Sequence, residues 1–300
     1  MAWLVLKDGK AFAGEAFGFW PEKEGAVSGE VVFTTAISGD QELITDPSYA
    51  GQILTFTQPQ IGNCGWCWAA GEAGKVLLKG IILRELATGA GAPGADGSLE
   101  EFCVKYKIPG LKGVDTRALT RYLRQNGTQP GVLVRELATG QRFWTASSPV
   151  VSEPTPHWVY QATTGEGYLI PGAGPVVAVL DLGVKRSILR CLQQRGFCLY
   201  VFPAGTSAAE IMEIKPRGLV VSNGPGDPAA LPAIYAELRK LSGRLPILGT
   251  GLGHQLLALA AGAETYKLPF GHRGNNYPVQ NQVSGKVLIT AQNHAYAVRA

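Results

Sequence analysis

Leu248-Gly249-Thr250-Gly251-Leu252-Gly253-His254-Gln255 has the frame of a nucleophile elbow, with glycine where the nucleophile stands. In an elbow the central residue occupies a sharp turn between a strand and a helix. Its side chain projects into the site, and the following backbone N–H groups converge on a substrate oxygen. The flanks fit this frame. Leu245-Pro246-Ile247-Leu248 reads as a short buried strand, and residues 254–261 read as an apolar helix. Gly249, Gly251 and Gly253 fall on the connection, so the turn is present while its central residue has no side chain.

Upstream lies a second glycine turn, Ser222-Asn223-Gly224-Pro225-Gly226-Asp227-Pro228, entered from the apolar run Gly218-Leu219-Val220-Val221. In open parallel sheets ligands bind outside the carboxyl ends of the strands, so the two turns are expected to share one pocket. Continuous apolar runs at 176–180, 199–202, 219–221 and 247–248 alternate with helix-like segments. The fold class expected is therefore α/β, with residues 175–300 forming a domain around a mostly parallel sheet flanked by helices. Residues 1–146 have a different texture: short strand-like runs at 3–6, 30–34, 52–56 and 76–78, with helices at 99–106 and 116–126. They predict a β-rich mixed domain. Between the two, residues 147–174 carry several prolines and glycines without a sustained period and read as a linker.

Composition narrows the function classes. A chain of 300 residues is long enough for two cores, and 46% hydrophobic with 17% charged residues suits a compact soluble protein. The formal charge of +4 is spread over scattered lysines and arginines, so no nucleic-acid stripe is expected. Lys7, Asp8 and Lys10 interrupt the apolar start, and no apolar run reaches membrane-spanning length. A cytoplasmic protein with no membrane partner is expected. The five cysteines form no disulfide framework. Cys64-Gly65-Trp66-Cys67 lacks a second ligand pair and reads as a loop, so no metal site is expected; Cys103, Cys191 and Cys198 read as packed thiols.

The two glycine turns together resemble those of class I glutamine amidotransferases, in which a cysteine attacks the glutamine amide. Three further segments narrow the resemblance to the small subunit of carbamoyl phosphate synthase: Phe270-Gly271-His272-Arg273-Gly274-Asn275-Asn276-Tyr277-Pro278, Gln292-Asn293-His294-Ala295-Tyr296-Ala297-Val298 and Thr45-Asp46-Pro47-Ser48-Tyr49-Ala50-Gly51-Gln52. Val114-Asp115-Thr116-Arg117-Ala118-Leu119-Thr120-Arg121 and Asp181-Leu182-Gly183-Val184-Lys185-Arg186 fit the same family, so the resemblance spans both halves. It implies a glutamine-hydrolysing subunit that passes ammonia to a large subunit. ATP and metal ions belong to that partner, and no cofactor is expected in this chain. It also implies that Ser48, Gly224, Gly226, Leu252, Gln255, Asn293, Ala295 and Tyr296 contact glutamine, with the N–H groups of Leu252 and Gly226 as oxyanion donors. Such a ligand needs hydroxyl, amide and backbone partners around a narrow cleft.

Two departures from the family pattern bear on activity. Gly251 replaces the nucleophile, and Thr250 is one position off, on the opposite face of a strand, with a hydroxyl far less nucleophilic than a thiolate. The family's catalytic histidine and glutamate belong to a Gly-His-Pro-Glu segment beyond the Gln-Asn-His motif, and the chain ends at Ala300. An amidotransferase domain shortened at its end is therefore expected. None of His157, His254, His272 and His294 has an evident carboxylate orienter, so no substitute base is expected. A trapping substitution, a natural pseudoenzyme and a shortened reading frame all fit. Three functional readings follow: a carbamoyl phosphate synthase small chain unable to hydrolyse glutamine, a docking or regulatory subunit of an ammonia-dependent synthetase, and another class I amidotransferase. The segments at 45–49 and 115–120 argue against the third.

Overall fold

The computed structural model describes residues 1–21, 25–89, 91, 94–145 and 155–299. The first half contributes β1 (Ala2–Leu6), β2 (Ala11–Gly18), β3 (Val27–Thr34), β4 (Gln52–Phe56), β5 (Gln60–Ile61), β6 (Gly80–Ile82), β7 (Glu85–Leu86), β8 (Pro109–Lys112) and β9 (Gln129–Val134). Its helices are α1 (Asp40–Thr45), α2 (Leu99–Lys105), α3 (Thr116–Asn126) and α4 (Leu137–Thr145). The order β1-β2-β8-β6-β4-β3-β9 closes into a barrel, while β5 and β7 form a separate small pair.

Period-two alternation distributes the barrel side chains between two cores. Leu4, Leu6, Val31, Phe33, Ile53 and Ile82 enter one cluster, sealed by Leu119 and Leu123 of α3. Their neighbours Val32, Leu54 and Ile81 join a second cluster built with Phe102 and Cys103 of α2. Both helices start on side-chain caps: Ser98 and Glu101 form a reciprocal capping box, and Asp115 accepts from Ala118 N. The run 76–78 is not a strand. It lies extended beside β4, with Gly51 N donating to Leu77 O (3.0 Å), and the pairing strand β6 begins only at Gly80.

The second half contains β10 (Tyr168–Ile170), β11 (Val176–Asp181), β12 (Cys198–Pro203), β13 (Gly218–Val221) and β14 (Ile247–Gly249), in the spatial order β10-β12-β11-β13-β14. β11 pairs in parallel with β12 and with β13, and β13 with β14; β10 is antiparallel to β12. The helices are α5 (Thr155–Ala162), α6 (Arg186–Gln194), α7 (Ala208–Glu213), α8 (Pro232–Leu241) and α9 (Leu252–Ala260). Ala178, Leu180, Leu219 and Val221 face a core with α7, α8 and α9, whereas Val177, Val179 and Val220 face Leu189 of α6. An antiparallel pair, β15 (Thr265–Gln280) and β16 (Val287–Val298), completes the described chain.

Three further expectations change. Residues 147–174 are not an irregular linker throughout, because they carry α5 and β10, the latter a strand of the second sheet; residues 147–154 lie outside the described ones. Proline at the second helical position needs no intrahelical N–H donor there, so Pro156 does not prevent α5. The strand before the elbow is not buried: β14 is the last strand of its sheet, and Leu248 is 59% exposed. Among the cysteines, Cys103 is buried but Cys191 is exposed on α6.

The halves are joined by buried polar contacts. Glu72 donates its N–H to Thr45 Oγ1 (2.9 Å) on the barrel side and accepts Arg186 N at its carbonyl (2.8 Å). Its carboxylate accepts Ser187 N (2.9 Å) at the start of α6, where the helix dipole favours negative charge, and lies 3.7 Å from Lys185 Nζ. Trp158 of α5 packs on Gly51, where a Cβ would lie 2.7 Å from the indole. Replacing Glu72 by alanine strands the Ser187 N–H and is expected to lower unfolding stability by about 1–3 kcal/mol. Chemical denaturation monitored by tryptophan fluorescence checks this, and an unchanged midpoint would count against Glu72 as the joint.

Candidate functional site

The elbow is formed. Gly251 lies between β14 and α9 at φ +53 and ψ −117, a backbone conformation that L side chains rarely adopt. Thr250 N donates to Val221 O (3.0 Å), and Gly253 N donates to Ser222 O (2.9 Å), which bind the elbow to the second glycine turn. The glycines differ in purpose. A Cβ at Gly253 would overlap the Val221 carbonyl, and one at Gly224 would overlap the Leu182 carbonyl. A Cβ at Gly251 would meet only Asn223, at 3.4 Å, an ordinary contact. The central position therefore has room for a side chain and lacks one.

All eight sequence-derived ligand positions border one cavity of about 230 Å³ between the barrel, the elbow and β15–β16. Ser48, on a single 3-10 turn (Pro47–Tyr49) after α1, is carried there by the barrel half. Asp46 organises this approach: its Oδ1 accepts Ser48 N (2.9 Å) and its Oδ2 accepts Asn293 Nδ2 (3.1 Å). Asn223 Nδ2 donates to Ser48 Oγ (3.1 Å) and to Gly183 O (2.8 Å), while its Oδ1 accepts Lys185 N (3.2 Å). Gln255, the fourth residue of α9, donates from Nε2 to Tyr296 O (2.7 Å). Burial pushes the Tyr296 hydroxyl up to about 12, with the Asp227 and Glu30 carboxylates adding to the shift, so the phenol stays protonated.

A larger cleft of about 760 Å³ adjoins on the elbow side, bordered by Thr250, Gly251, His254 and Asn275. The Thr250 hydroxyl oxygen is enclosed without a hydrogen-bond partner. It therefore does not present a reactive group to the cleft. His254 borders this cleft, and His157 lies on α5 with its ring edge on Trp158. His294 Nδ1 donates to Tyr296 O (2.8 Å), and its Nε2 lies 3.0 Å from the Gln292 side-chain amide. Burial pushes its pKa down, so the ring is neutral near pH 7. His272 shares the same Gln292 amide (3.2 Å) and stacks on Tyr277. Both are positioned by their own strand pair, as wall residues. Among the described residues no cluster of three or more His, Cys, Asp or Glu side chains could hold a metal ion, and no helix is long and apolar enough to cross a membrane.

Sequence reasoning missed the charged wall of the smaller cavity. Glu30 of β3 and Lys267 and Arg273 of β15 border it, with Gln52 and Thr128. Burial alone would raise Glu30, but Lys267 at 2.6 Å, the Arg273 charge and a hydrogen bond from Thr128 hold it below the usual carboxylate range. Arg273 is 3% exposed; burial pushes it down, opposed by Tyr49, Glu30 and Tyr277. Its one basic side chain within a glycine-rich stretch gave no periodic signal, because its burial depends on a barrel contributed by the other half of the chain.

Residues 4–133 match the family "Carbamoyl-phosphate synthase small chain, CPSase domain", and residues 178–300 match "Glutamine amidotransferase class-I". The carbamoyl phosphate synthase small chain of Listeria monocytogenes EGD-e is 45% identical over 299 residues, covering 98% of this chain and 80% of the relative. Those of Symbiobacterium thermophilum (43% identical) and Methanopyrus kandleri (45% identical) each match over 98% of this chain and 82% of their own length.

Two glycine substitutions separate packing from conformation. Gly253→Ala forces a methyl group into the Val221 carbonyl and is expected to prevent stable folding. Gly251→Ala has room and should cost only the backbone strain, about 1–3 kcal/mol. Thermal unfolding of both variants checks the contrast; equal losses would mean that the elbow backbone is not constrained as described.

Proposed function

Because the chain belongs to the carbamoyl phosphate synthase small-chain family, we propose that it is a glutamine-binding amidotransferase subunit of that synthase, unable to hydrolyse the glutamine it binds. The observation that carries this reading is the convergence of all eight family contact positions on one cavity while the elbow residue is Gly251. The side-chain amide of glutamine would lie against the elbow, where the N–H groups of Leu252 and Gly226 are the candidate donors to its carbonyl oxygen. Ser48, Asn293 and the backbone around Ala295 would meet the rest of the ligand.

Hydrolysis in such a site needs a nucleophile that attacks the amide carbon and releases ammonia as an acyl-enzyme forms. Gly251 offers no atom for that bond. The Thr250 hydroxyl is enclosed, and a lone hydroxyl without a base is a poor nucleophile at neutral pH. Recognition is thus separable from chemistry. The same reading makes a large synthetase subunit the partner, supplying the ATP and metal sites, with this chain acting on it by docking.

Calorimetry on the purified chain, with ammonia followed in the same sample, is expected to show saturable glutamine binding without ammonia release. Ammonia above background would overturn the loss of hydrolysis, and absence of binding would overturn the glutamine site. Gly251→Cys gives an independent readout: iodoacetamide labelling followed at position 251 by peptide mass spectrometry, with exposed Cys64 and Cys191 as internal controls, should be slowed by glutamine at 251 alone. Labelling unaffected by saturating glutamine would place the ligand elsewhere.

A further inference from the structure

A separate cavity of about 410 Å³ lies between α1, the loop after β5 and the start of α2, and both Cys64 and Cys67 border it. Cys64 is exposed, Cys67 is half-buried, and both are free thiols. The chain between them is fixed. Gly65 turns it at φ +71, where a Cβ would lie 2.5 Å from that of Ala95. Trp66 is buried and stacks on Phe102, with ring centroids 3.7 Å apart, and its N–H donates to Gly97 O (2.9 Å). Gln41 of α1 holds Cys67 at both backbone groups, accepting its N–H (3.0 Å) and donating to its carbonyl. Among the described residues on the border of this cavity, the charged ones are Asp40 and Glu42. The other thiols are set differently. Burial pushes the Cys103 thiol up, which suppresses its thiolate, and Cys191 is exposed on α6 next to Arg190, with Arg195 donating to its carbonyl (2.8 Å).

We infer that Cys64 and Cys67 form a dithiol–disulfide exchange site whose substrate is a small cationic disulfide. The Cys64 thiolate attacks one sulfur of R–S–S–R, that S–S bond breaks, and RS⁻ leaves. The Cys67 thiolate then attacks the Cys64 sulfur, and a second RS⁻ leaves. Each RS⁻ takes up the proton that its attacking thiol released, so two electrons pass from the pair to the substrate and the products are a Cys64–Cys67 disulfide and two RSH. The exposed thiol attacks first, because exchange depends on access as well as on thiolate fraction. Cys67, anchored through Gln41, resolves the mixed disulfide. Asp40 and Glu42 attract an ammonium-bearing R group and repel a carboxylate-bearing one.

The test mixes the reduced full chain with cystamine, which carries an ammonium group at each end, or with oxidised glutathione, which is anionic, and follows the peptides by mass spectrometry. The peptide holding Cys64 and Cys67 is expected to lose two hydrogens and keep no R group, while the single thiol of Cys191 keeps one. Cys67→Ser should leave Cys64 as a stable mixed disulfide. The rate preference for cystamine should be roughly tenfold larger at Cys64 than at Cys191, whose neighbours are arginines, and added salt should shrink it. The folded chain should close the internal disulfide roughly tenfold more readily than the urea-unfolded chain, because the fold raises the effective concentration of one thiol at the other. Retention of the R group at Cys64 in the unaltered chain overturns the site. Equally ready closure in urea overturns it too, since the spacing alone would then account for the bond. A Cys67→Ser chain in which Cys64 takes up no R group overturns Cys64 as the attacking thiol, and equal preferences at Cys64 and Cys191 overturn the cationic substrate.

Discussion

The arrangement of the site depends on one carboxylate, that of Asp46. It lies between the barrel and the second sheet, 9% exposed, and accepts from Ser48 N on its own turn and from Asn293 Nδ2 on β16. Asn223 reaches the same corner from the second glycine turn, 3.5 Å from Asp46 Oδ1. Three segments far apart in sequence are thereby fixed around one cavity. A charged acceptor suits this role, because hydrogen bonds to an ionised oxygen are shorter and roughly twice as strong as neutral ones. Remove the carboxylate and Ser48, Asn223 and Asn293 lose the partner that holds them in register.

Much of the second half was legible because its signals are local. Buried strands of a sheet covered on both faces read as unbroken apolar runs, and β11, β12 and β13 sit where those runs are. The elbow announces itself by glycines whose Cβ positions are occupied by neighbouring backbone. Helix α3 was visible through its apolar stripe and its end at Gly127. Barrel closure was not, because alternation tells which face a residue takes but not which strand lies beside it. The parallel pairing of β3 with β4 runs through α1 and the Pro47–Tyr49 turn, a connection no periodicity reveals. Helix α5 was hidden by its proline content.

Within the site the same division holds. Ser48, Gly224, Leu252 and Asn293 stand in recognisable segments, so their gathering in one cavity was expected. Arg273 stands in the quoted segment 270–278, but like Glu30 and Lys267 it is a single charged residue in a strand, and charge in a strand ordinarily means a solvated face. Only closure of β15 against the barrel turns them inward: Thr35 N donates to Arg273 O (2.9 Å), and Thr128 N to Pro269 O (2.8 Å). Their place on the cavity wall is a product of tertiary packing, which no local pattern of charge or hydropathy reveals.

Gly251 shows how the elbow backbone is kept with no side chain at its centre. A nucleophile at such a turn sits at unfavourable backbone angles, a strain of about 1–3 kcal/mol that the surrounding structure must hold. Glycine adopts φ +53 without that strain, so its presence relaxes the elbow while the close contacts at Gly224, Gly249 and Gly253 keep the turn in place. The groups that border the cavity come from both halves of the chain, and the hydrogen bonds that position Ser48, Asn223, Gln255 and Asn293 involve no side chain at position 251.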